Sequence, residues 1–166
     1  MSALLRTETP APQALALEIG VTRHFGLRDI GETGLLSGWA SGEFGHAWND
    51  GIDATLLVSM PHRPGPLMLE LEVEPFVTPQ NPVQDLTVFA SGARAGFWRV
   101  AKRQVIRLAT WIDPACWRDA PSGAAMRLVF HMPLSVSPQE LGTCNDLRQL
   151  GFNFRSITPT RSEITM

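Results

Sequence analysis

The chain has 166 residues, 44% of them hydrophobic and 18% charged, which is ample for one globular domain with a buried core. Its formal net charge is -2, its pI is about 6.1, and no basic run exceeds the Lys102-Arg103 pair, so neither nucleic acid nor an anionic membrane surface is an expected partner. No stretch approaches the ~20 consecutive apolar residues of a membrane span, and Glu8, Pro10 and Pro12 break up the opening residues, so the expectation is a cytoplasmic protein with no signal peptide and no membrane insertion.

The 13 prolines and 14 glycines recur at turn-like intervals along the chain, a spacing that favours many short strands. Residues 1–14 read as a flexible arm, 15–158 as a single domain and 159–166 as a polar tail. Leu15 to Val21 alternates as a first strand, and Gly20 and Gly26 bracket an irregular piece around His24 and Phe25. Arg28 to Ser37 is a polar connection into the segment Gly38 to Ala54. That segment holds Trp39 and Trp48 among four glycines and four titratable groups, a density that suits neither a helix nor a plain strand. It reads as a folded corner held by the strands on either side.

Ala54 to Met60 is the next strand, followed by a turn from Pro61 to Pro66. Leu67, Leu69, Leu71 and Val73 then alternate with Met68, Glu70 and Glu72, which places the leucines on one face of a strand and the acids on the other. After a proline-rich loop, Gln84 to Ala90 and Gly96 to Val100 flank a Ser91-Gly92 hairpin turn. Gln104 to Thr110 is a further strand. Asp113-Pro114 opens one short helical turn within Trp111 to Asp119. Ala124 to Met132 sends Met126, Leu128, Phe130 and Met132 one way and Arg127 and His131 the other. Ser137, Pro138 and Glu140 then start a brief helix that Gly142 stops, and Phe152 to Ile157 is the last strand. Seven to nine short strands with one or two helical turns specify an all-β fold, a β-sandwich or jelly roll, with an up-and-down barrel as the alternative.

The order Gly38-Trp39, Glu43, Gly45, Trp48, Asp50-Gly51 and Ala54, then Phe76, Gln84, Val88, Gly92, then Pro133, Ser137-Pro138, Glu140-Leu141-Gly142, Asp146, Arg148 and Leu150-Gly151 resembles a bacterial β-sandwich domain of uncharacterised function. That domain is often appended to glycosyltransferases that build cell-surface polysaccharide, and the resemblance runs from about Leu17 to Ile157. It implies a carbohydrate setting, with either a glycan or a glycosyltransferase as partner. It also makes an ion pair between Arg148 and the carboxylates of the corner an economical expectation.

Indole faces are natural platforms for sugar rings, so Trp39 and Trp48, with Glu43, Asp50 and Arg148 for the hydroxyls, form the candidate ligand site; the other reading of the same tryptophans is a plug at the end of the sandwich. Glu43, Asp50 and Asp53 are also the candidates for paired carboxylates of glycoside hydrolysis. Asn49-Asp50-Gly51-Ile52-Asp53 has the oxygen ligands of a small calcium loop but lacks the twelve-residue pattern, and the four histidines have no metal-ligand spacing, so no cofactor is expected. There is no nucleophile elbow and no phosphate loop. Cys116 and Cys144 match no zinc pattern and are expected to be free thiols. The leading reading is a noncatalytic carbohydrate-binding module. Its alternatives are an interaction module that docks onto a glycosyltransferase or self-associates, and a small glycan-acting enzyme.

Overall fold

In the computed structural model, residues 12–161 are described, so most of the expected N-terminal arm and the end of the tail lie outside the described residues. The chain forms two packed sheets. One runs β1 (Leu15–Ala16), β4 (Asp53–Met60), β10 (Gly123–His131), β6 (Gln84–Ala90) and β7 (Ala93–Val100), with β9 (Arg118–Ala120) paired to β10. The other runs β2 (Arg23–His24), β11 (Phe152–Arg161), β5 (Leu67–Pro75) and β8 (Ile106–Ile112), with β3 (Ala47–Trp48) paired to β11. From β4 to β11 the chain passes repeatedly from one sheet to the other, so the product is a β-sandwich and not an up-and-down barrel.

The alternation in the sequence sets which face each strand buries. Leu67, Leu69, Leu71 and Val73 of β5 meet Leu56 and Val58 of β4 and Met126, Leu128 and Phe130 of β10 in one core, while Glu70, Glu72 and Glu74 face outward. Burying a Leu, Val or Phe side chain stabilises the fold by about 1.5–3 kcal/mol each. This two-layer core is therefore what holds both outer faces in shape.

Several elements differ from expectation. The first strand ends at Ala16, because β1 runs parallel to β4 for only two pairs before the chain turns at Gly20, whose φ is +79°. β8 begins and ends two residues later than the pattern suggests, so Trp111 belongs to a strand and not to a turn. The short strand β9, which forms a hairpin with β10, was not expected.

The helical turn after Asp113 forms, as 3₁₀, with the Asp113 carboxylate accepting from the Ala115 N–H at 2.9 Å. At Ser137 the hydroxyl also caps the Glu140 N–H at 3.1 Å, yet no helix follows. The Gly142 backbone turns left-handed, with φ +74°, before a second turn can form. The polar residues Thr158 to Arg161 do not fray, since β11 continues through them against β5 down to the Arg161 and Leu67 pair. Cys116 is buried and Cys144 exposed, and both are free thiols.

Candidate functional site

The Gly38 to Ala54 corner folds because its polar groups are tied to one neighbouring segment. Gly38 lies at φ +82° with the Asp53 carbonyl where a Cβ would stand, so only glycine lets the chain pass there. Asn49 is fully buried; its Oδ1 accepts from the Gly151 and Phe152 N–H groups at 2.8 and 2.9 Å, and its amide donates to the Gly51 carbonyl and the Ser135 hydroxyl. Asp50 accepts from the Gln149 N–H at 2.9 Å. The expected tie between the corner and residues 146–151 is therefore made, and Asn49, which sequence reasoning weighed only as a calcium ligand, is its buried centre.

Arg148 supplies the charged part of the tie. Its guanidinium grips Asp146 through Nε and NH2, at 3.0 and 2.7 Å, and reaches Glu43 with NH1 at 3.2 Å. Glu43 also meets His46 at 3.1 Å. The bonds from Arg148 hold the Asp146 carboxyl below its ordinary range. The Asp146 bond, followed by the contact to Glu43, raises Arg148 above its own ordinary value even though burial acts against it.

The five expected ligand residues are brought to this one corner, but they do not form a shared aromatic platform. Trp39 turns inward: its ring meets Phe25, Phe154 and Phe130 at centroid distances of 5.7, 5.1 and 6.1 Å, and its indole N–H donates to the Thr55 carbonyl at 2.9 Å. Trp48 stands opposite Asn153 on β11, next to the buried Ala47 and Phe154 pair, so alternation turns it to the outer face. One tryptophan plugs the core and the other does not.

Glu43, Asp50 and Asp53, considered as paired carboxylates, each face a different partner, with Asp53 bonded to His131 at 2.7 Å. Among the described residues no group of three or more His, Cys, Asp or Glu is placed to hold a metal ion.

The outer face of the β2–β11–β5–β8 sheet is less self-satisfied. Across it, His24 stands opposite Ser156, Ser156 opposite Glu72, and Glu72 opposite Arg107; the next row is Thr158, Glu70 and Ala109, and beyond it lie Thr160, Met68 and Trp111. A groove of about 320 Å³ lies on this face, floored by Glu70, Glu72, Ser156 and Thr158 and walled by His24 and Arg107. Trp111, which stands one row beyond Glu70 in the register and outside the groove's lining, is 49% exposed. Small Ala109 separates Trp111 from Arg107 on β8. Among the described residues Glu70 has no ion-pair partner, and Arg107 approaches Glu72 only to 3.8 Å.

Sequence reasoning placed the two glutamates on one outward face but missed the groove, because it ended β8 at Thr110. Carrying the period-two pattern on to Ile112 puts Arg107, Ala109 and Trp111 on the face that carries the acids.

No protein-family model matches the sequence, and no curated protein matches it. Among solved structures the chain is similar to a family 35 carbohydrate-binding module from an environmental isolate, at 10% identity and a TM-score of 0.47, over 84% of this chain and 93% of that one. It is similar to the C-terminal family 6 carbohydrate-binding module of a laminarinase from Zobellia galactanivorans, at 11% identity and a TM-score of 0.45, over 85% of this chain and all of that one. A β-(1,4)-mannanase of Podospora anserina that carries a family 35 module is similar at 11% identity and a TM-score of 0.47, over 87% of this chain and 28% of the mannanase. Among the described residues no helix is long and apolar enough to cross a membrane.

Proposed function

We propose that this chain is a noncatalytic carbohydrate-binding module whose site is the outer face of the β2–β11–β5–β8 sheet. The observation that carries the reading is the pairing of a half-exposed indole, Trp111, with an adjoining groove of hydroxyls and carboxylates. A pyranose ring has an apolar face of C–H bonds and an equator of hydroxyls. The first packs on an aromatic surface, and the second exchanges hydrogen bonds with Ser, Thr and Glu side chains. A strand-borne site of this kind is rigid before the ligand arrives, which limits the ordering cost of binding.

Of the residues expected from the sequence, Trp48 faces this same side, as a boundary at the far end of the sheet from Trp111. Glu43, Asp50 and Arg148 hold the corner that supports it, and Trp39 anchors that corner in the core. The family resemblance supplies the setting: a module that holds a glycan or a glycosylated intermediate during bacterial surface-polysaccharide synthesis, beside a glycosyltransferase.

The docking reading has one observation of its own. Leu27, Phe44 and Leu147 are 60%, 62% and 67% exposed on loops that meet at the corner, with the Arg28 guanidinium 4.2 Å over the Phe44 ring. Titration calorimetry of the wild type, Trp111→Ala and Phe44→Ala against a panel of neutral, basic and acidic oligosaccharides separates the two. The carbohydrate reading expects binding that falls by about tenfold or more in Trp111→Ala, equivalent to about 1.4 kcal/mol, and is unchanged in Phe44→Ala. A panel with no binder at all contradicts it.

A further inference from the structure

Resting on that reading, we infer that the groove selects its saccharide by charge, taking a glycan with a free amino group ahead of a neutral one and an acidic one last. The carboxylates facing it are Glu70 and Glu72; the basic groups are the Arg107 guanidinium and the His24 ring. These charges are not evenly matched. Arg107 already faces Glu72 at 3.8 Å and is 81% exposed, extending away from the floor. Glu70 lies between Thr158 and Ala109 in the middle of the sheet, half-buried and with no ion-pair partner among the described residues.

The hydroxyl nearest it in the sheet is also engaged, since Thr158 Oγ1 shares a hydrogen bond of 2.8 Å with Thr22 Oγ1. Glu70 therefore lines the groove as a half-buried carboxylate with no ion-pair partner among the described residues. An ammonium group supplies both the missing charge and up to three donors. A sugar hydroxyl supplies donors alone. A uronate brings a second carboxylate into the same half-buried space, where like charges repel more than they do in open water.

The arrangement also fixes which part of the ligand is read. On β8 the exposed positions run Arg107, Ala109, Trp111, and Ala109 stands directly across from Glu70. With only a methyl group there, the space above Glu70 stays open on the Trp111 side. A ring seated on Trp111 directs one edge substituent into that space. Glu70 reads the charge of that substituent while Trp111 supplies affinity common to all rings, so the two residues separate selectivity from binding.

The test is calorimetric titration of the full chain at a pH about one unit below the amine pKa of the amino oligomer, so that the amine carries its charge. The probes are glucosamine, glucose and glucuronate oligomers matched in linkage and length. The expected order is amino, then neutral, then acidic, with about threefold to fivefold between steps, as for a partly exposed ion pair. Glu70→Gln, which keeps the shape of the side chain but removes its charge, brings the amino and neutral oligomers within about twofold of each other. Raising salt to about 0.5 M does the same in the wild type.

Trp111→Ala weakens all three by a common factor. Acidic oligomers that bind as well as neutral ones, or an amino preference that survives Glu70→Gln, overturn the charge inference while leaving the carbohydrate reading standing. Failure of every oligomer to bind overturns both.

Discussion

The Gly38 to Ala54 corner and the outer face of the β2–β11–β5–β8 sheet are both rich in polar and aromatic side chains, yet they treat them in opposite ways. At the corner most polar side chains already have a protein partner: Asn49 serves two backbone N–H groups, Asp50 a third, and Arg148 joins Asp146 to Glu43, although the buried His46 Nδ1 has none among the described residues. On the sheet face Glu70 has no ion-pair partner among the described residues, Arg107 is loosely held and Trp111 is half exposed. The corner uses most of its polar groups to hold its own shape, whereas the sheet face leaves a carboxylate and an indole open to solvent.

The sharpest way to break this contrast is to damage the corner. Trp39→Ala removes an indole that three phenylalanine rings surround, and should lower the unfolding free energy by about 3 kcal/mol or more in urea titration. Asn49→Ala leaves the Gly151 and Phe152 N–H groups buried without an acceptor, and should cost about 2–3 kcal/mol in the same assay. If either variant unfolds like the wild type, the corner is not the support described here.

A subtler effect lies in the other sheet. Asp85 is held below its ordinary value of 3.8, first by its hydrogen bonds to Arg99 and with burial opposing. A carboxyl with a depressed folded value adds stability above its unfolded value and loses it as pH falls through the folded one. Asp85→Asn should therefore flatten the fall of stability below about pH 4 and leave its pH dependence near neutrality unchanged, as followed by thermal melts across that range. Smallest of all, Trp111→Ala should change the unfolding free energy by no more than about 0.5 kcal/mol while weakening glycan binding, the reverse of the pattern at Trp39.

These two tryptophans also show how far the sequence could be read. The sandwich was legible because period-two alternation in Leu67 to Val73 and Ala124 to Met132 assigns each side chain to a face before any partner is known. The tie from the corner to Arg148 was legible through the pattern of the resembling family. The direction of Trp39 was not, because an irregular, glycine-rich segment has no period from which to infer a face. Its bridge to Asn49, which sets that direction, joins residues whose pairing depends on the whole loop.

The groove was missed for the opposite reason. Its residues sit on ordinary strands, interleaved with core positions, and converge only because β2, β11, β5 and β8 lie side by side through crossovers between sheets. The cluster that is conspicuous in sequence is bonded within the protein, while the open surface is distributed over four segments. The short helix expected at Ser137 shows a local signal that was read correctly and then limited by its neighbour: the cap forms, and Gly142 ends the turn.

The central claim, that this face and not the corner meets the ligand, is tested most directly by mapping amide chemical shifts during titration with a soluble neutral oligosaccharide. Saturable shifts are expected only at the outer-face positions around His24, Glu70, Arg107, Trp111 and Thr158, together with a perturbed Trp111 indole N–H. Shifts centred instead on Leu27, Phe44 and Leu147, or none at concentrations where a binding module of ordinary affinity would saturate, would contradict that claim.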